Sequence, residues 1–319
     1  LDRLKVNVIG GFLGSGKTTL LRHFLAQPKM AEKVAVIVNE LGEVGVDGEV
    51  LARKGSKVVE LTNGCVCCQV TGDLVDAIKA LHADYRPDRL LIETTGVAEP
   101  GKVLTALYSP FLSGEVRVEP TVVVVDASGF ARLYKELAYH YVMQVKAADV
   151  VLLNKADLVT PAAMRRVEAE VRKLHPRAFV ARTVHGRVDL LGLLEGAEAA
   201  APPAEEPGRA VKFDSFVFRG EDTFDKAKLG AFLEKLPAAC YRAKGFVRTG
   251  EGPFLVNFTT GQTEWEPWPG QEAARLVFIG RGLREKALIR ALMRCRTAGP
   301  KAKGAKPSRR PAGAGRRRR

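Results

Sequence analysis

The stretch GFLGSGKT at 11–18 sets two glycines five positions apart, ahead of a lysine and a hydroxyl residue. That spacing suits a phosphate. Glycine-permitted turns let successive backbone N–H groups face inward around anionic oxygens, and a helix beginning at the lysine adds its positive end. Gly11, Gly14, Ser15, Gly16, Lys17, Thr18 and Thr19 are the expected nucleotide-phosphate residues, with Lys17 on the β/γ-phosphates and Thr18 a ligand for Mg²⁺. A second signal is NKAD at 154–157. A carboxylate at Asp157 can accept from both the ring N–H and the exocyclic amine of guanine, a donor pair that adenine lacks, so GTP is the expected nucleotide. Asn154 and Lys155 are expected to brace that loop and flank the base.

Between these lie two segments that would feel a γ-phosphate. ETTG at 93–96 puts Glu93 where P-loop enzymes usually carry an aspartate, and Gly96 can offer its N–H to the γ-phosphate, so Lys17, Glu93 and Gly96 are the catalytic candidates. NELGEVGVDG at 39–48 is acidic and glycine-rich, as a switch loop would be, with Glu43 a second candidate for Mg²⁺.

Three of the five cysteines, Cys65, Cys67 and Cys68, fall within four positions after an Asn-Gly turn. Thiolates are soft ligands suited to Zn²⁺, Co²⁺ or Cu⁺. Three thiolates make an incomplete shell, which Glu40, water or a partner's residue would complete; an open position suits a carrier better than a structural staple. The rival is redox chemistry at the Cys65/Cys68 C-x-x-C pair. Cys240 and Cys295 stand alone, and the five histidines show no ligand spacing.

These residues need a frame. Apolar runs at 4–10, 33–39, 57–61, 88–94, 120–127, 148–155 and 178–183 alternate with segments of helical periodicity such as 17–27 and 161–174. The runs are rich in Val, Leu and Ile without clean alternation, as strands covered on both faces should be. The expected fold is therefore α/β, a P-loop NTPase with a mostly parallel, doubly wound sheet spanning 1–194. A proline-rich, apolar-poor linker (195–210) leads to a smaller α+β domain at 211–296, read as a mainly antiparallel sheet with two helices.

Composition narrows the partners. Of the net charge of +14, nine positive residues sit in the Pro/Gly/Ala-rich stretch 297–319, which has no acid; the remainder carries only +5. That tail is expected to be disordered. Without an aromatic platform or reader motif it does not argue for nucleic acid as a partner. No apolar run is long enough to span a bilayer, the opening residues do not read as a secretory leader, and the odd cysteine count fits a reducing cytoplasm.

Taken jointly, GGFLGSGKTTLL, VNELGEVGVDG, LTNGCVCC, IETTGVAEP and NKADL resemble the CobW family of metal-handling GTPases, over the whole first domain and, in its α+β pattern, the second. The resemblance implies that Cys65, Cys67 and Cys68 form the family's C-x-C-C metal motif with Glu40 accessory, and that zinc, or next cobalt, is delivered under GTP control to a client metalloprotein. No histidine-rich storage loop is present, and the basic tail departs from the pattern. Other readings are a thiol-redox-regulated GTPase, a nucleic-acid-associated P-loop protein using the tail, and a small-molecule kinase, which would prefer ATP. A homo-oligomer is left open.

Overall fold

The computed structural model of the chain describes residues 3–27, 32–39, 57–61, 70–199, 213–259 and 261–297. Eight strands among them form one parallel sheet: β1 (Leu4–Gly11), β2 (Val34–Asn39), β3 (Lys57–Leu61), β4 (Arg89–Glu93), β5 (Val116–Val118), β6 (Val122–Asp126), β7 (Val150–Asn154) and β8 (Phe179–Arg182). The order is β3-β2-β4-β1-β6-β7-β8, with β5 also against β1. Alternate side chains of β2 supply opposite faces: Ala35 and Ile37 join one apolar cluster, Val34, Val36 and Val38 another. Helices α2 (Val70–Asp84) and α3 (Pro100–Leu107) cover the first face through Leu74, Ile78 and Leu104. Helix α1 (Lys17–Leu25) covers the other through Leu20, Leu21 and Phe24. Helices α4 (Phe130–Lys146) and α5 (Pro161–Leu174) complete the layers with α6 (Leu190–Glu195). Because the strands are parallel, Gly11, Asn39, Leu61, Glu93, Asp126 and Asn154 all end at the same edge of the sheet.

The second sheet has the order β13-β12-β11-β14-β9 and is antiparallel along that path. Its strands are β9 (Asp214–Gly220), β11 (Cys240–Thr249), β12 (Gly252–Thr259), β13 (Gln262–Pro267) and β14 (Ala274–Gly280). The two-residue β10 (Thr223–Phe224) adds to β11 in parallel. One face packs on α7 (Lys226–Glu234) and α8 (Glu285–Met293) through Leu229, Leu233, Ala243, Val256, Phe278 and Leu292. The lone cysteines are structural in this setting: Cys240 and Cys295 are buried, and burial pushes both thiols up, Cys240 to about 12. Strand β13 is the least legible of the five in sequence. It is a half-exposed edge strand, QTEWEP, whose charges blunt the edge and hide the β pattern.

The other face of this sheet lies against the first domain. Phe246, Leu255, Val277 and Ile279 share one apolar cluster with Phe12, Leu13 and Tyr141. Phe12, inside the glycine loop, stacks on Tyr141 at 5.7 Å and meets Tyr241 edge-on at 6.2 Å. The phosphate-loop segment is thus pinned by both domains. No helix among the described residues is long and apolar enough to cross a membrane.

Candidate nucleotide site

Strand β1 delivers the chain to the glycine loop, where Gly11, Gly14 and Gly16 take φ values of 139°, 68° and 108°. Side chains rarely adopt such angles. A Cβ at Gly16 would also lie 2.3 Å from Asn154 Nδ2, and one at Gly14 2.1 Å from Thr259 Cγ2. Helix α1 then starts at Lys17.

Lys17 is 4 % exposed, and its ammonium donates to the carbonyls of Gly11 at 2.8 Å and Phe12 at 3.2 Å. Burial lowers its pKa from 10.5 to about 8, against the attraction of Glu93 and helped by the charge of Arg242. Glu93 is equally buried; burial raises its pKa, although Lys17, Thr18 and Arg242 all favour the carboxylate. For both groups desolvation outweighs their mutual attraction. The Thr18 hydroxyl donates to Glu93 Oε1 at 3.0 Å. Glu93 therefore points into the phosphate loop, and its Oε2 is buried without a protein partner. Ser15 Oγ is likewise buried and unpartnered. A hydroxyl and a carboxylate side by side are hard oxygen donors that fit Mg²⁺.

Gly96 lies against the same loop, where an added Cβ would sit 2.5 Å from the Leu13 backbone nitrogen. Its carbonyl accepts from Gln144 Nε2 at 3.3 Å.

The strand-end residues of β7 tie the two ends of the site together. Asn154 Nδ2 donates to the Ser15 carbonyl at 2.8 Å, and its Oδ1 accepts from Thr183 Oγ1 and the Gly186 N–H, both at 3.0 Å. Asn154 is spent on bracing. Lys155 has φ 59° and pairs with buried Asp126 at 2.9 Å. The carboxylate of Asp126 is held in turn by Ser128 and by the Gly129 N–H. The turn at Lys155 places Asp157, exposed, in the 3₁₀ segment Ala156–Leu158.

A cleft of about 410 Å³ runs past Gly14, Gly16, Lys17, Thr18 and Thr19 to Asn154, Lys155, Asp157 and His185. The structure brings these phosphate-loop and NKAD residues, 135 or more positions apart in sequence, into one space. Several of its parts were not singled out in the sequence. Asp126, which ends β6 and holds Lys155, and His185, which lines the cleft from the loop after β8, are such parts; a polar residue or His-Gly turn at a strand end was a readable sign. Arg242, Lys244, Asn257, Glu264 and Glu266 also line the cleft, from the second domain; a β pattern gives no notice of that. Cys65, Cys67, Cys68, Glu40 and Glu43 lie outside the described residues.

A glycine loop joining the central strand of a parallel sheet to a helix, with a strand-end acid against the loop's hydroxyl, defines a P-loop nucleotide-binding domain. Residues 5–182 match the CobW/HypB/UreG nucleotide-binding domain and residues 213–296 the cobalamin synthesis protein cobW C-terminal domain, so the chain belongs to the CobW family. It is 31% identical over 343 residues to the zinc chaperone CobW of a Sinorhizobium species, covering 91% of this chain and 96% of that protein. It is 35% identical to the zinc chaperone YeiR of Escherichia coli over 58% of this chain and 56% of that one. To the zinc-regulated GTPase metalloprotein activator 1 of Dictyostelium discoideum it is 28% identical, over 80% and 65% of the two chains.

Proposed function

We propose that the protein is a GTP-hydrolysing metallochaperone that binds a transition metal, zinc first and cobalt next, at Cys65, Cys67 and Cys68 and passes it to a client metalloprotein. The observation that carries the nucleotide half is the single cleft in which Lys17, Thr18 and Asp157 meet, cross-tied by the Asn154–Ser15 hydrogen bond. The Lys17 ammonium donates to the Gly11 and Phe12 carbonyls. Polyphosphate oxygens offer it full charge compensation, so binding recovers part of its desolvation cost. Asp157 reads guanine, and Gly96 offers its N–H to the γ-phosphate. Thr18 and Glu93 would hold Mg²⁺, which would offset charge on the β/γ oxygens. The free Oε2 of Glu93 supplies an acceptor to position the attacking water.

The metal half is favoured by the fold. The chain leaves β2 at Asn39, just before Glu40, and β3 at Leu61, four positions before Cys65. Both strand ends share the edge that carries Gly11 and Glu93, and β3 lies three strands, roughly 14 Å, from β1. The names of the relatives, zinc chaperones and a zinc-regulated activator, favour zinc as the cargo.

Titrating zinc and cobalt into the protein with Mg²⁺ and a non-hydrolysable GTP analogue, with GDP, or with no nucleotide tests the reading. About one equivalent should bind, several-fold more tightly in the GTP state, since coupling energies are typically about 1–3 kcal/mol and act reciprocally. Replacing all three cysteines by serine should remove the metal and leave GTP binding. Metal affinity blind to the nucleotide would sink the gated carrier; unchanged metal affinity in the triple variant would sink the site.

A further inference from the structure

The face that the second sheet turns toward the first domain is divided. Side chains two apart on a strand share a face, so Arg242, Lys244 and Phe246 of β11 point the same way. Strand pairing extends each into a rung: Arg242 beside Thr259, Lys244 beside Asn257, Phe246 beside Leu255. The Phe246–Leu255 rung belongs to the apolar cluster around Phe12. The other two rungs are polar, and they lie over the nucleotide cleft.

Three observations fix which part of the cleft each rung meets. Thr259, on the Arg242 rung, is pressed against the phosphate loop at Gly14. Arg242 is close enough for its charge to act on both Lys17 and Glu93. Lys244, 7 % exposed, shares a smaller recess with Thr18 and Thr19 at the start of α1. Further along, Arg22 of α1 makes two 2.8 Å bonds to the Glu266 carboxylate of β13, clamping the domains together beside the cleft.

The charge of Arg242 opposes the buried Lys17 ammonium and favours the Glu93 carboxylate. A polyphosphate is the anion that this loop is shaped to hold, and a guanidinium lining the same cleft is placed to meet it.

We propose that Arg242 is a catalytic residue supplied by the second domain, contacting the γ-phosphate of GTP held by the first, with Lys244 supporting it on the phosphates, so that hydrolysis requires the domains to be docked. The proposal rests on the reading of the cleft as a GTP site. In the step served, the oxygen of a water molecule bonds to the γ-phosphorus and the bond from that phosphorus to the β–γ bridging oxygen breaks. GDP leaves with the electron pair, and the water's proton ends on the released phosphate. Negative charge builds on the bridging and γ oxygens, and a guanidinium offers a planar fork to two of them at once. The second domain then senses the nucleotide state directly, since GDP lacks the group that Arg242 holds.

The test uses the full chain and the variants Arg242→Gln, Arg242→Lys and Lys17→Ala. Phosphate release gives kcat and KM, and fluorescent GDP gives affinity with and without aluminium fluoride, a mimic of the transferring phosphoryl group. Arg242→Gln should lower kcat at least about 100-fold, since arginines in this role are worth roughly 10³–10⁵. It should leave GDP affinity within a few-fold and abolish the tightening by aluminium fluoride, and Arg242→Lys should not restore kcat. An Arg242→Gln protein that keeps wild-type kcat, or keeps the aluminium fluoride response, overturns the proposal. So does a lysine variant that matches wild type. If these results come from a wild type that hydrolyses GTP and a Lys17→Ala protein that does not, the GTPase reading stands and only the role of Arg242 falls. A wild type that neither binds nor hydrolyses GTP removes both.

Discussion

The buried ammonium of Lys17 makes a test in which loss of function should raise stability. Its pKa falls from 10.5 to about 8, chiefly because burial penalises the charged form. The folded state therefore binds fewer protons than the unfolded one between these values. The destabilisation is fully present below about pH 8, shrinks as pH rises toward 10.5, and is absent above it. The gap corresponds to about 3 kcal/mol at neutral pH. Lys17→Met keeps the stem and drops the charge; the Phe12 carbonyl still accepts from the Ser15 N–H, and the Gly11 carbonyl loses the ammonium, at about 1 kcal/mol. The nucleotide-free Lys17→Met protein should then be more stable than wild type by about 2 kcal/mol at pH 7, a rise in Tm of roughly 4–8 °C for a domain of this size. Differential scanning calorimetry from pH 7 to 10 reads this directly, and the advantage should contract steadily with pH. Saturating GTP and Mg²⁺ should reverse the order, because wild type gains about 2.7 kcal/mol at one hundred times Kd and the variant gains none. A nucleotide-free wild type more stable than Lys17→Met at pH 7, or a difference that does not shrink with pH, would refute the reasoning.

Glu93→Gln should reduce kcat about 10²- to 10³-fold in phosphate-release assays while GTP still binds, because the amide keeps the Thr18 contact but loses the charge. The raised pKa of Glu93 means that wild-type activity should fall as pH drops through a value above 4.5, and the glutamine variant should lack that acid limb. Asp157→Ala should weaken GTP binding while narrowing the gap to ATP in competition titrations, since only the carboxylate distinguishes guanine. Equal affinity of the wild type for the two nucleotides would remove the guanine assignment.

What the sequence determined by itself was local chemistry and its frame. The glycine spacing at 11–16, the lysine and threonine after it, and NKAD each act within a few residues, so their types announce them. The parallel sheet was readable because strands covered on both faces carry apolar residues at consecutive positions, as the fully buried β4, β6 and β7 do between their polar ends. Glu93 could be placed beside the phosphate loop, but only tertiary structure decided that its carboxylate takes the Thr18 hydroxyl, 75 positions away. Asn154 was expected to brace the loop and flank the base; only folding decided that both ends of its amide go to Ser15, Thr183 and Gly186. The second domain shows the limit most clearly. Alternation along β11 says that Arg242 and Lys244 share a face, yet a period of two cannot say what that face meets. Docking of Phe246 and Leu255 against Phe12 decided it, because contacts between separately folded layers depend on shape and burial far apart in the chain rather than on any local pattern.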